Sequence, residues 1–272
     1  MTMKTVRLAG ADVPPIGQGT WRMGVDRRAE VAALRTGIDL GMTVIDTAEL
    51  YADGAAEEVV GQAVRGRRDE VFLVSKVLPQ NATTEGTIAA CYASLGRLGT
   101  DRLDLYLLHW RREVPVMETV TGLEKLREEG SIKAWGVSNF DIHDLEDLPE
   151  GAVPACNQIL YNLTRRGPEA NLFPWCERVG AAIMAYSPVE KGALLDHPDL
   201  RRVAAERGAT AAQVALAWSV RSGGVIAVPK AVQLGHVKEN AEAMDLKLTD
   251  EELEVLDQAF PAPGVVPLET LS

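Results

Sequence analysis

The sequence lacks most of what a nucleic-acid, membrane or metal partner would need. Its 272 residues carry 28 lysines and arginines against 39 aspartates and glutamates, a formal net charge of −11. Nucleic acid and anionic bilayers attract a basic face, so an acid excess of this size argues against both as the main partner. No segment reaches the ~18 apolar residues of a membrane-crossing helix. The first ten residues show no long apolar stretch and no cleavage site, so no export signal is expected. The three cysteines, Cys91, Cys156 and Cys176, are odd in number and widely spaced. They give neither a disulfide framework nor a zinc pattern, and a reducing cytoplasm is the expected compartment. The four histidines include no pair at metal-ligand spacing, so no metal is expected. Glycine and proline are scattered, and nothing in the composition reads as disorder.

What the chain does have is an alternation of two periods. Short β-branched runs occupy residues 15–21, 43–46 (TVID), 71–76 (VFLVSK), 103–109 (LDLYLLH), 132–138 (IKAWGVS), 155–159 (ACNQI), 181–186 (AAIMAY) and 224–229 (GVIAVP). Helical spacing fills the intervals. Residues 29–40 place Val31, Leu34, Ile38 and Leu40 near one face. Residues 84–98 have Thr83 or Thr84 as a cap, residues 115–129 end at Gly130, and residues 168–179 and 211–221 follow the same pattern. Strand alternating with helix means parallel strands joined by crossovers, and parallel strands buried on both faces read as near-continuous apolar runs. Eight such units, in a chain near the roughly 250 residues typical of the architecture, predict a closed (β/α)8 TIM barrel. A doubly wound open sheet is the alternative. Its dinucleotide fingerprint has one near match, Gly17-Gln18-Gly19 followed by Gly24, at the wrong spacing.

One barrel domain is therefore expected over residues 1–272. Residues 2–14 are expected to form a short hairpin over the barrel floor, turning near Gly10. Residues 249–259 read as a terminal helix, capped by Thr249 with Glu252 as capping-box partner. Trp218 reads as core, and His143 and His197 as surface. The EEVVG helix (57–61) and the basic cluster at 65–68 read as solvated surface.

In such a barrel, function sits at the C-terminal ends of the strands. The second run ends in Asp46, with Tyr51 five residues on. The third ends in Lys76 and the fourth in His109. A free tyrosine, with a pKa of ~10, is a poor acid near neutrality. A neighbouring ammonium lowers that value: Lys76 is expected to supply it, Asp46 to keep it charged, and neutral His109 to orient a substrate oxygen. Singly, each residue has a structural explanation: a helix cap, a barrel ion pair, a satisfied core histidine. Together they form a system for protonating an alkoxide, and it needs a hydride donor.

The stretches GMTVIDTAELYADGAAEEVVG (41–61), FLVSKV, DLYLLHW, WGVSNF (135–140), NQILYN, AYSPVEKG and IAVPKAVQLGHVKEN follow one another over about two hundred residues. With this set the chain resembles the aldo-keto reductase family. The resemblance implies the same barrel, the tetrad Asp46, Tyr51, Lys76 and His109, and reduction of aldehydes or small ketones with NADPH/NADP+. Around Tyr51 the chain also resembles bacterial members that reduce methylglyoxal and other small aldehydes.

Cofactor contacts are implied too. Ser138, Asn139 and Gln158 would meet the carboxamide, Tyr186 would stack on nicotinamide, and Ser187, Pro188 and Val189 would follow the pyrophosphate. Gly19, Thr20, Trp21 and Asp46 would lie beside the cofactor, Lys230 would meet the 2′-phosphate, and Glu239 and Asn240 the adenine. Barrels often bind phosphate after strands seven and eight, near a short extra helix, and a helix starting near Gly235 suits that role. The chain departs from the family at Ala231, where Ser or Thr is usual, and at His236, where Arg is usual. An imidazole is a weaker, pH-dependent cation without a bidentate fork, although Lys230 still offers a point charge. NADPH is expected, with weaker than usual discrimination against NADH. Trp135 replaces a smaller aliphatic and reads as packing.

Trp21, Tyr51, His109 and Trp110 are expected to wall the substrate pocket. The short tail after Phe260 suggests an open one, for a small carbonyl compound. A monomer or weak oligomer is expected. Two rival functions are a Schiff-base lyase using Lys76, which needs a neutral amine that Asp46 disfavours, and an NADPH-binding regulatory or sensing subunit with slow turnover. For the latter the sequence offers no long N-terminal segment.

Overall fold

A computed structural model describes residues 5–271. Strands β1 (Val6–Leu8) and β2 (Ala11–Val13) pair antiparallel. Ala9 and Gly10 join them at φ 50° and 81°, the two left-handed residues that a tight hairpin turn requires. Residues 2–4 of the expected hairpin lie outside the described residues.

Eight parallel strands follow: β3 (Gln18–Gly19), β4 (Val44–Asp46), β5 (Phe72–Val77), β6 (Leu103–Leu108), β7 (Ile132–Ser138), β8 (Cys156–Leu160), β9 (Ala182–Tyr186) and β10 (Val225–Ala227). Each pairs with the next in chain order. The last closes on the first: Ile16 bridges Ala227 in parallel, Gly17 N–H donates to the Ala227 carbonyl at 2.8 Å, and Gly19 N–H to that of Pro229 at 2.9 Å. The sheet is thus the closed (β/α)8 barrel. Around it run α1 (Arg27–Asp39), α2 (Ala55–Val64), α3 (Thr84–Leu98), α4 (Val116–Glu128), α5 (Ile142–Glu146), α6 (Leu172–Val179), α7 (Pro198–Arg207), α8 (Ala211–Ser219), α9 (Leu234–Glu242) and α10 (Asp250–Ala259).

The G-x-G of the failed fingerprint has its own explanation. A Cβ on Gly17 would stand 2.7 Å from the Val44 carbonyl, and one on Gly19 2.6 Å from that of Val228. Only glycine lets the shortest strand be squeezed between its two neighbours. Helix starts fall near those expected, except that the helix expected from residue 168 begins at Leu172, after a 3-10 turn over Gly167–Ala170. The Thr83 side chain caps α3, and Thr249 with Glu252 forms the capping box of α10.

Side chains alternate across the barrel wall. Val44, Val74, Leu105, Leu107, Cys156, Met184 and Ile226 point inward and meet Val6, Leu8 and Val13 of the hairpin, which plugs the floor. Ile45, Leu73, Tyr106, Leu108, Ile159 and Ile183 point outward under the helices. Trp218 is fully buried, as expected, and Trp135 packs with its indole N–H on Glu124 at 2.5 Å.

Three burial assignments need correction. In α2, Glu57, Val59 and Val60 are fully buried. The Glu57 carboxylate accepts from Ser75 Oγ and Arg97 Nε, each at 2.6 Å, and that pairing is what allows a buried charge. In the 65–68 cluster, Arg68 is largely buried against Asp104 at 2.8 Å. Leu40, assigned to the apolar face of α1, is 41 % exposed because it lies beyond the helix's last turn. None of the helices among the described residues is long and apolar enough to cross a membrane.

Candidate active site

Strand parity builds the site. Asp46 lies two residues past inward Val44, Lys76 past Val74, His109 past Leu107, Gln158 past Cys156 and Tyr186 past Met184. Successive inward positions stack along a strand, so these polar groups form the layer directly above the apolar plug.

Within that layer the four predicted residues meet. Lys76 Nζ donates to both Asp46 oxygens, at 2.7 and 2.9 Å, to the Thr47 carbonyl at 2.9 Å, and lies 3.1 Å from Tyr51 Oη. Lys76 is fully buried and Asp46 is 3 % exposed. The His109 ring lies edge-on to Tyr51 at 5.8 Å between centroids and to Trp110 at 4.7 Å. His109 Nδ1 is buried without a hydrogen-bond partner.

The electrostatics follow from burial. Desolvation works to lower the Lys76 pKa, but Asp46 and Tyr51 outweigh it, and the ammonium is held above its ordinary value. Burial and the Lys76 charge push His109 down to about 2, so the imidazole is neutral. The expected downward pull of Lys76 on Tyr51 is present but does not set the net direction. Burial raises the Tyr51 pKa, Asp46 adds to the rise, and the opposing pull of Lys76 does not overcome them. The phenol is thus a retained acid rather than an acidified one, and Lys76 limits the cost of ionising it.

A second group continues round the rim. Tyr186 Oη donates to Asn139 Oδ1 at 2.8 Å, and Ser138 Oγ to the Gln158 carbonyl at 2.9 Å. Gln158 commits its NH2 to Asp46 Oδ1 at 2.8 Å. Thr20 Oγ1 donates to the Asp46 carbonyl at 3.0 Å. Asn139 and Ser187 adopt left-handed backbone at φ 59° and 50°, the kind of outlier that gathers at functional sites. Beyond them a cleft of about 520 Å³ is lined by Val189, Lys230, Ala231, His236, Glu239 and Asn240, all predicted cofactor contacts. The α9 N-terminus opens there with no side-chain cap, leaving free N–H donors suited to phosphate. An apolar-walled cleft, uncapped amides and exposed cations fit the dinucleotide that the resemblance implies. Among the described residues no group of three or more potential ligands gathers for a metal.

The tail departs from expectation. It does not leave the rim open on the β9 side. Leu268 N–H donates to Asp141 at 2.9 Å, Glu269 pairs with Arg165 at 2.6 Å, and Leu271 N–H reaches Tyr186 Oη at 3.4 Å. Sequence reading also passed over Asn162, whose Nδ2 holds the Ser187 carbonyl at 3.0 Å, and Arg201, which lines the phosphate-end cleft from α7. Asn162 closes the quoted NQILYN stretch and was legible as a strand-end polar residue. Arg201 sits on a helix that no periodicity announced.

Comparison with known proteins gives a consistent picture. A sequence model of the Aldo/keto reductase family matches residues 15–260. Methylglyoxal reductase YeaE of Escherichia coli is 49 % identical over 275 residues, 97 % of each chain. Glyoxal reductase of Bacillus subtilis is 35 % identical over 93 % of this chain and 91 % of its own. A Klebsiella pneumoniae aldo-keto reductase, solved in complex with NADPH, superposes with a TM-score of 0.97 at 50 % identity, covering 100 % of both chains.

Proposed function

This chain belongs to the aldo/keto reductase family, and on that premise we propose that it reduces small aldehydes, 2-oxoaldehydes such as methylglyoxal among them, with Tyr51 as proton donor. It is an NADPH-dependent carbonyl reductase. The observation that carries the finer reading is the 3.1 Å contact between Lys76 Nζ and Tyr51 Oη, made by a lysine that is itself locked on Asp46.

Ser138, Asn139, Gln158 and Tyr186 would hold the nicotinamide end of the cofactor. Gly19, Thr20 and Trp21 would flank it, Ser187, Pro188 and Val189 would serve the pyrophosphate, and Lys230, His236, Glu239 and Asn240 the adenosine end. When bound, NADPH supplies the hydride. Tyr51 Oη gives its proton to the substrate oxygen, and the phenolate left behind is stabilised by the Lys76 ammonium. Asp46 and the Thr47 carbonyl keep that ammonium charged through the exchange. Neutral His109 donates a hydrogen bond to the same oxygen and fixes its direction, with Trp21 and Trp110 as pocket walls. One hydride and one proton enter, and an alcohol leaves. The charged Lys76 also disfavours a Schiff-base role, because an imine needs the neutral amine.

The test is loss of NADPH absorbance with a panel of methylglyoxal, butanal and simple ketones. Turnover with the small aldehydes is expected. A protein that binds NADPH tightly, by fluorescence titration, yet oxidises it with no member of the panel would be a sensing subunit instead.

A further inference from the structure

Two carboxylates bracket Tyr51 and fasten its loop to the strand that carries Lys76. Backbone pairing between β4 and β5 fades before the loop reaches Tyr51. Thr47 N–H donates to the Val74 carbonyl at 3.0 Å, but Glu49 N–H reaches that of Lys76 only at 3.5 Å. Side chains take over from there. Upstream of Tyr51, Glu49 Oε1 accepts from Leu78 N–H at 2.6 Å and from Asn81 Nδ2 at 3.1 Å. Downstream, the Glu57 carboxylate accepts from Ser75 Oγ and from Arg97 Nε, each at 2.6 Å. Ser75 lies just before Lys76 in the chain and Leu78 just beyond it. The two clamps therefore straddle both members of the 3.1 Å contact between Lys76 Nζ and Tyr51 Oη.

The loop between the clamps needs holding. Ala52, Asp53 and Gly54 follow Tyr51 at φ 51°, 52° and 88°, and the first two carry a Cβ that disfavours this region. Such a segment persists only where its surroundings over-determine it. A Cβ on Gly54 would stand 2.5 Å from Arg97 Cδ, so the arginine held by Glu57 also lies against the end of the Tyr51 loop. Glu57 is fully buried, and its carboxylate joins α2, β5 and α3 at one point. Strand parity turns Ser75 outward where Lys76 points inward, so this clamp works from behind the barrel wall.

We propose that Glu49 and Glu57 are positioning residues for the proton transfer: they set the distance between Tyr51 Oη and Lys76 Nζ, and with it how well the phenolate left by the transfer is stabilised. This rests on the reading of Tyr51 as proton donor and adds the residues that place it. Neither carboxylate gives or takes the proton; each acts through Tyr51. A reacting group misplaced by about 1 Å can lose about 10²-fold in rate, so a strained loop that carries the proton donor is sensitive to what pins it.

The readout is the single-turnover rate of NADPH oxidation by methylglyoxal, with the substrate KM and the NADPH Kd measured beside it. Glu49→Ala releases Leu78 N–H and the loop. It is expected to lower the rate about tenfold, with KM and NADPH Kd within about twofold. Glu49→Gln keeps an acceptor oxygen and recovers most of the loss. Ser75→Ala removes only the hydroxyl that ties Glu57 to β5, and lowers the rate about threefold, the scale of one hydrogen bond. As a small change on a different element, it tests the proposal even if Glu49→Ala does not fold. A double-mutant cycle decides between positioning and plain structure. In a Tyr51→Phe background either substitution should add no further loss, because the contact it positions is gone. Equal losses in both backgrounds overturn the proposal, as do unchanged rates in both clamp variants or a change confined to KM or NADPH Kd. Tyr51→Phe alone separates the two readings. If it turned over near-normally, the proton-donor reading would fail and take this proposal with it; a crippled Tyr51→Phe beside unaffected clamp variants sinks this proposal alone.

Discussion

On the β4–β6 side of the rim, Asp46 and Lys76 are 3 % and 0 % exposed and joined at 2.7 Å. On the α7–α9 side, Lys230 and His236 are exposed, and Arg201 has only a loose 3.4 Å pair with Asp196. The first region bears its desolvation cost during folding, so its dipoles are already aimed when a substrate arrives. Charges in the second are screened by water and salt, and each is worth little until a ligand gathers them. Under the proposed function, chemistry would rest on the buried pair and cofactor choice on adjustable surface contacts.

The largest effect that would break this contrast is at Tyr51. Tyr51→Phe keeps the ring and removes the transferable proton. Aldehyde reduction is expected to fall by about 10²- to 10⁴-fold, measured in single turnovers, with NADPH affinity by fluorescence nearly unchanged. Near-normal turnover would move the proton donor elsewhere.

Next comes the rigidity itself. Lys76→Met strands the Asp46 carboxylate in the barrel, with the Gln158 amide as its remaining hydrogen-bond donor among the described residues. Removing one member of a buried pair typically costs about 3–5 kcal/mol, to be read from urea unfolding. Adding Asp46→Asn should recover part of that loss, because the stranded charge is gone. If the double variant were less stable than Lys76→Met alone, the pair would not be the electrostatic unit described above.

The same contrast explains what the sequence could disclose. Asp46, Lys76 and His109 end continuous apolar runs, and a period of two fixes their direction, so their convergence followed once the strands were recognised. Tyr51 was legible only through its distance from Asp46, because Ala52 and Asp53, both at positive φ, shape its loop in a way no propensity reveals. The raised Tyr51 pKa was not legible at all. It depends on how completely the phenol is buried, which is a property of packing. Buried Glu57 was misread for a related reason: its partners Ser75 and Arg97 stand 18 and 40 residues away, and a charge run looks solvated until such partners are seen. The tail's return to Tyr186 likewise depends on contacts across more than a hundred residues, the Arg165–Glu269 ion pair and the Leu268 N–H on Asp141.

The smallest expected effect sharpens the cofactor side. Lys230→Met should weaken NADPH binding by about tenfold and NADH binding much less, since only NADPH carries the 2′-phosphate that a point charge would hold. His236→Arg, in the same cleft, should act in the opposite direction: a guanidinium can fork onto a phosphate where an imidazole cannot, so the ratio of NADH to NADPH Kd should rise several-fold in fluorescence titrations. A ratio unmoved by either substitution would place the 2′-phosphate outside the cleft.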